Sequence, residues 1–259
     1  MTGRYAIQER FMHWGRSGQD RLRRSRAVVV GIGGLGGMAA MLLTRAGVGS
    51  LRLVDPDFPS WDNLHRQVLF NEQDVVAERS KVQAAVAYLG SLNQDVALEP
   101  RLEALQPANA LELLRGADVV LDGLDNAQDR YLLNEACWHL GIPLVHAGVV
   151  RSQGQLLVVR PGQGPCLRCW FPSLSEPRDS SASMGIIGPA PACLASLQAA
   201  EALKVLLGDE AHLLEGLLAV DLWPLSFRLI SWRQREQHGC ASCQGQYDFL
   251  SPPTMASGR

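Results

Sequence analysis

The sequence has no basic tract and no excess of charge of either sign, with 24 Lys and Arg against 26 Asp and Glu and a net charge of −2 over 259 residues. Proteins that grip nucleic acid do so largely by neutralising phosphates, so no tight electrostatic binding to DNA or RNA is expected. An uninterrupted apolar run is missing as well. The amino terminus, Met1-Thr2-Gly3-Arg4-Tyr5, lacks the apolar segment of a signal peptide. The most apolar later stretch, residues 185–208, is broken by Pro189, Pro191, Gln198, Glu201 and Lys204. Neither a signal peptide nor a membrane span is expected. There is no internal repeat. Six cysteines, four of them in two Cys-x-x-Cys pairs, fit a reducing, cytoplasmic compartment and a metal better than a disulfide scaffold.

What is present is organised around residues 27–57. The apolar run Ala27-Val28-Val29-Val30 feeds into Gly31-Ile32-Gly33-Gly34-Leu35-Gly36, then a helix-forming run to Ala46, then Leu51-Arg52-Leu53-Val54-Asp55-Pro56-Asp57. This pattern predicts strand, tight turn, helix and a second strand ending on a carboxylate. Glycines let backbone approach a nucleotide closely, and the positive end of the helix dipole faces phosphate or ribose. Asp55 is placed to accept hydrogen bonds from ribose hydroxyls. Gly31, Gly33 and Gly36 also satisfy the dinucleotide fingerprint, so this stretch alone leaves NAD and other adenine nucleotides both open.

A chain of this length buries one large core, or one core with a small appendage. We expect an N-terminal helical segment over 1–26, with two short helices separated by a turn near 15–18. A nucleotide-binding region is expected over 27–150, an antiparallel extension of the same compact domain over 151–250, and a disordered tail over 251–259. The arginines at 21, 23, 24 and 26 read as a solvated helix face. Within the nucleotide region a helix is expected over 77–92 with Lys81 near its start. A cation there opposes the dipole unless an anion sits beside it. Further strands are expected at 96–100, 117–122 and 143–150, with helices at 108–115 and 127–140. Asp125 then ends a strand as Asp55 does, and in an open parallel sheet both face one crevice. From Arg151 onward the turn-rich sequence around Pro161-Gly162-Gln163-Gly164-Pro165 favours antiparallel strands, followed by a mobile polar loop at 173–183 and a helix over 192–207. The fold class is α/β: a Rossmann-like, mostly parallel sheet with a C-terminal antiparallel extension.

Cys166 and Cys169, with Cys240 and Cys243, supply four thiolates in two knuckles. That set predicts a closed, tetrahedral and therefore structural zinc site.

The motifs Gly31-Ile32-Gly33-Gly34-Leu35-Gly36, Asp55-Pro56-Asp57, Asn63-Leu64-His65-Arg66-Gln67, Lys81, Asp122-Gly123-Leu124-Asp125-Asn126, Gly185-Ile186-Ile187-Gly188-Pro189 and the cysteine pairs occur in one order. In that combination the chain resembles the MoeB/ThiF/HesA group of ubiquitin-activating-like adenylyltransferases, over nearly everything from Arg4 to Cys243. The resemblance implies a nucleotide site of Gly31, Gly33, Gly34, Gly36, Asp55, Asp57, Asn63, Arg66, Gln67, Lys81, Asp125 and Asn126. Asp55 would hold the ATP ribose, Asn63, Arg66 and Lys81 the phosphates, and Asp125 Mg2+. Arg66, Lys81 and Asp125 would carry the catalysis. The implied reaction is attack by the C-terminal glycine carboxylate of a small ubiquitin-like sulfur-carrier protein on the α-phosphorus of ATP, giving an acyl-adenylate and pyrophosphate. The resemblance also implies a homodimer.

Two positions depart from the group. Ile7 stands where a phosphate-contacting arginine contributed across the dimer is expected, with Arg10 or Arg16 as candidate substitutes. Ser181 takes the place of a reactive loop cysteine. A hydroxyl forms neither thioester nor persulfide, so a separate sulfur donor is expected. Cys137 and Cys193 read as small core residues. Other readings are adenylation of another carboxylate, peptide or tRNA-linked, and a nucleotide-binding partner subunit that no longer catalyses.

Overall fold

A strand covered on both faces needs apolar residues at every position, and β1 (Arg26–Val30) has them from Ala27 to Val30. In the computed structural model, which describes residues 3–172, 184–231 and 240–250, Ala27 and Val29 enter one core and Val28 and Val30 enter a second on the opposite face. β1 is joined by β2 (Ser50–Val54), β3 (Ala97–Arg101), β4 (Val119–Asp122), β5 (Leu144–Val150), β6 (Gln153–Val159), β7 (Leu217–Asp221) and β8 (Ser226–Ile230). Their order across the sheet is β3-β2-β1-β4-β5-β6-β7-β8. β1 to β5 pair in parallel, and the pairs from β5–β6 onward are antiparallel. The chain runs outward from β1 to β3 on one side and returns to β4 on the other, which opens a crevice at the carboxyl ends of β1 and β4.

Helices cover both faces. On one lie α1 (Gly15–Leu22), α2 (Gly34–Ala46), α4 (Lys81–Leu92) and α8 (Pro189–Leu207), with the single-turn α3 (Glu72–Val76) between α2 and α4 in the chain. On the other lie α5 (Ala110–Leu114), α6 (Ala127–Leu140) and α7 (Leu167–Trp170). α6 spans the expected residues because its ends are written locally. Asn126 caps its start and Gly141, in the left-handed region, ends it.

α8 is long and apolar enough to cross a membrane by composition, yet half of that stretch is buried inside the fold. Gln198 reaches between two central strands and donates to the carbonyls of Asp122 and Val145, both at 2.8 Å. Glu201 accepts the Leu214 N–H at 2.9 Å and pairs with Lys204. The Gln198 amide N–H groups and the Glu201 carboxylate find their partners within the protein, so α8 serves here as a core helix.

Two expectations need correction. The turn near 15–18 is instead the start of α1, in which only Gly15 has a positive φ. Gly18 is small because a Cβ there would lie 3.0 Å from the Leu207 side chain. The helix expected over 77–92 starts four residues later, at Lys81, and a separate short helix, α3, precedes it. Asn71 and Asp74 form a capping box that starts α3, Glu78 takes φ +48°, and α4 begins only at Lys81. The polar loop at 173–183, with Ser181, and the tail at 251–259 lie outside the described residues.

Candidate active site

The crevice at the strand ends is a cleft of about 700 Å³. Its floor is the glycine turn between β1 and α2. Gly31 sits at φ +87°, and a Cβ there would meet the Gly123 carbonyl carbon at 2.6 Å. Gly33 and Gly34, at the amino end of α2, line the cleft with Gly31, Asp55, Asp57, Arg66 and Gln67, and Lys81, Asp125 and Asn126 line it as well.

Asp55 follows β2 directly, beneath the turn. Its two carboxylate oxygens accept the N–H of Ile32 at 2.6 Å and of Asp57 at 2.8 Å. Burial pushes its carboxyl above the usual 3.8, opposed by the Lys81 ammonium and by those two N–H groups. Lys81 is the first residue of α4, and its Nζ donates to Asp57 at 3.0 Å and lies 4.0 Å from Asp55. The anions that a cation needs in a first helical turn are therefore these two carboxylates. Arg66 donates to the Asp62 carbonyl at 2.8 Å. Gln67 is buried, and its Oε1 accepts no hydrogen bond from any described residue. Asp125 is exposed at the cleft edge.

Three residues of the expected set sit differently. Gly36 is buried away from the cleft lining, and a Cβ on it would lie 1.9 Å from the Gly31 carbonyl oxygen, so it permits α2 to cross the turn. Asn63 lies in a 3-10 turn outside the lining and donates to Asp62 at 3.3 Å. Asn126 reaches the cleft, but its side chain accepts the Asp129 N–H at 2.9 Å as the α6 cap. Ile7 is exposed, and Arg10 and Arg16 are absent from this cleft.

Sequence reasoning missed the support beneath Asp125. Asp122 is fully buried; it accepts the Leu124 N–H at 2.9 Å and meets His146 Nδ1 at 2.6 Å. Burial pushes the His146 imidazole below its usual range, against the hydrogen bond to Asp122 that raises it. Neutral His146 therefore donates from Nδ1 to the carboxylate. Arg130 donates to the Leu124 carbonyl at 2.6 Å, with its Nε 3.7 Å from Asp122. Together these groups fix the loop that presents Asp125. Asp122 and His146 are 24 residues apart, and no local pattern announces such a pair.

The four cysteines come together behind α6. Cys240 Sγ lies 3.4 Å from both Cys166 and Cys169, Cys169 lies 3.5 Å from Cys243, and Cys166 lies 3.9 Å from Cys169. A tetrahedron of sulfurs about 2.3 Å from zinc has edges of roughly 3.8 Å, whereas a disulfide needs about 2.05 Å. The cluster fits a zinc ion. Hydrogen bonds from Cys166 and Cys243 lower the pKa of the Cys169 thiol, and the same contacts with Cys169 raise those of Cys166 and Cys243. Nearby, buried Glu135 accepts the N–H groups of Asp248, Phe249 and Leu250 at 3.3, 2.8 and 3.0 Å and the Ser242 hydroxyl at 3.0 Å. Cys137 is fully buried, and burial pushes its thiol up, so it is an inert core residue; Cys193 packs at the margin of the other core.

The sheet order and the glycine turn define an α/β protein of the doubly wound, nucleotide-binding class. Residues 5–242 match the model of the ThiF family. Over 249 residues the chain is 39% identical to the sulfur carrier protein ThiS adenylyltransferase of Bacillus subtilis, covering 96% of this chain and 73% of that protein. Over 240 residues it is 42% identical to the SAMP-activating enzyme E1 of Haloferax volcanii, covering 91% and 87%. The crystal structure of E. coli MccB with succinimide superposes with a TM-score of 0.76 at 22% identity, over 90% of this chain and 72% of that one, a likeness of fold. The chain belongs to the ThiF family and is an adenylyltransferase.

Proposed function

We propose that the protein uses ATP to adenylate the C-terminal glycine carboxylate of a small ubiquitin-like sulfur-carrier protein. The carrier carboxylate attacks the α-phosphorus, the bond to the β-phosphate oxygen breaks, and pyrophosphate leaves. The observation that carries this reading is the convergence of Arg66, Lys81 and Asp125 on the one cleft floored by the glycine turn.

A carboxylate is already the nucleophile at neutral pH, so little acid–base chemistry is needed. The obstacle is the approach of one anion to another, which fixed positive charge and in-line positioning overcome. Lys81 exchanges Asp57 for phosphate oxygens, and Arg66 exchanges the Asp62 carbonyl for them. Asp55, with lone pairs beyond its two N–H bonds, accepts from the ribose hydroxyls, and the unpaired Oε1 of Gln67 offers a further acceptor. Asp125 would hold Mg2+, which neutralises charge on the leaving pyrophosphate. A zinc ion held by Cys166, Cys169, Cys240 and Cys243 would be structural and would take no part in this chemistry.

The cleft has room for a second substrate. It continues past Gly148 and Gly154 to Ala219, Ser226 and Arg228, a path suited to an extended, glycine-ended tail. Exposed Trp223 and Leu225, in the turn between the lining residues Asp221 and Ser226, offer an apolar surface near that path for the folded body of the carrier. The same reading places a homodimeric enzyme in the cytoplasm and leaves completion of sulfur transfer to a separate donor.

The test is ATP–pyrophosphate exchange with each candidate carrier, intact and lacking its last glycine. Exchange should require that glycine. Arg66→Ala and Lys81→Ala should each lower it by about 10² to 10³ while the fold, read by circular dichroism, stays intact. Wild-type exchange in either variant would remove that residue from the mechanism, and exchange driven only by a peptide or a tRNA-linked carboxylate would replace the carrier as substrate.

A further inference from the structure

Outside the cleft and the cysteine cluster, two imidazoles and a carboxylate meet on the surface. The potential ligand atoms of His13, Asp209 and His212 all lie within 4.8 Å of one another. The two imidazole rings have centroids 4.7 Å apart at an interplanar angle of 63°, and His212 Nδ1 is 2.7 Å from Asp209 Oδ1. We propose that these three residues bind a divalent transition-metal ion, zinc being the natural occupant, and so form a second metal site unrelated to the thiolates.

A surface Asp–His pair three residues apart accounts for Asp209 and His212 alone. It does not account for His13, which comes from the other end of the chain and presents a second imidazole to the first. The donor set suits the ion: neutral imidazole nitrogens and one carboxylate oxygen select first-row metals such as Zn2+ over Mg2+ or Ca2+. A fourth position is left for water.

Both backbones are held before any ion arrives. Trp14 N–H donates to the Phe11 carbonyl at 2.9 Å, and the Trp14 indole donates to buried Gln19 at 3.1 Å, which fixes the turn carrying His13. On the other side Gly208 ends α8 in the left-handed region, Asp209 N–H donates to the Lys204 carbonyl at 2.9 Å, and Lys204 Nζ donates to the His212 carbonyl at 2.8 Å. Lys204 is also paired with Glu201, so its charge is not directed at the ligands alone. Seating an ion opens the Asp209–His212 contact from 2.7 Å to the roughly 3.3 Å edge of a tetrahedral N/O site. Exposed side chains make that adjustment by rotation. The bound ion would clip the amino-terminal segment to the end of α8.

The experiment is a zinc titration by calorimetry on the full chain, with the cysteine site already filled and its zinc content measured. Wild type should take up one further equivalent. His13→Ala and His212→Ala should each lose that equivalent while retaining the first. Added zinc should also slow tryptic cleavage after Arg10 and Arg16 in wild type and leave it unchanged in both variants. No further uptake by wild type, or uptake that survives either substitution, overturns the assignment.

Discussion

Gly33 and Gly36 look alike in the sequence, yet an added methyl group should do opposite things at the two. At Gly36 the new Cβ would lie 1.9 Å from the Gly31 carbonyl oxygen and 3.0 Å from a Val29 methyl, both parts of the buried β1–α2 unit. Neither neighbour is the free end of a flexible chain, so α2 must shift away from the turn. Overpacking of this kind costs about 3 kcal/mol or more. At this chain length each kcal/mol moves Tm by about 2–4 °C, so Gly36→Ala should melt roughly 6–12 °C lower. At Gly33 the nearest atom to a new Cβ is Gln67 Nε2 at 3.7 Å, ordinary contact, and φ is −86°. Gly33→Ala should therefore hold its Tm within about 2 °C while weakening ATP binding, because the methyl group enters the cleft. Calorimetry and nucleotide titration on the two variants separate the effects. A Gly36→Ala protein that melts with wild type would refute the packing role, and a Gly33→Ala protein with undiminished ATP affinity would refute the site role.

Other expectations test different parts of the molecule. If the four cysteines hold zinc as proposed, Cys169→Ser should contain less of it than wild type and melt lower, since metal affinity at such a site is folding free energy; metal analysis beside calorimetry reads both, and equal zinc content would contradict the tetrathiolate centre. Glu135→Ala leaves the N–H groups of Asp248, Phe249 and Leu250 without their acceptor, at a cost of about 1–3 kcal/mol for each that stays buried. Limited proteolysis should then cut the carboxyl-terminal segment first, and a cleavage pattern unchanged from wild type would contradict its docking role. Asp55 governs a pH effect. Its folded carboxyl sits above 3.8, so the folded chain holds that proton more tightly than the unfolded one. The stability this confers is complete below pH 3.8 and is lost as pH rises through the folded value. The stability of wild type relative to Asp55→Asn should fall over that rise, and a difference independent of pH would show that burial does not set the carboxyl.

The parts of the fold legible in the sequence were those whose causes are local. β1, its glycine turn and α2 follow from an apolar β-branched run meeting glycines, and α6 from a cap at Asn126 and a stop at Gly141. The cysteine cluster was legible because each pair is a local unit, although only the fold brings Cys240 to 3.4 Å from Cys166. The break at 77–80 was missed. Its sequence sign was the capping box at Asn71 and Asp74, and the left-handed Glu78 that ends α3 has no sequence sign of its own. The His146–Asp122 pair and the Gln198 bridge were invisible because each joins elements that are separated in the chain. Gly36 and Asn126 carried the right motif and different work, one in helix crossing and the other in capping.

The change of strand direction after β5 explains how one cleft could serve two substrates. A parallel sheet offers its crevice at the carboxyl ends of its strands, where the glycine turn, Asp55 and Asp125 already stand. Another crossover unit after β5 would place a helix over that opening. The chain instead turns back at Arg151, which takes φ +57° and whose carbonyl and N–H bond to the segment at 185–187 as it passes the cleft. β6 to β8 then extend the sheet sideways with no described helix over the outermost strand, so the cleft stays open from the glycine turn to Arg228. On the proposed reaction the nucleotide occupies the parallel end, and the carboxylate arrives along the antiparallel end. A substitution at Arg228 should then change the apparent affinity for the carrier while leaving that for ATP as it was. An equal effect on both would place the carrier tail elsewhere.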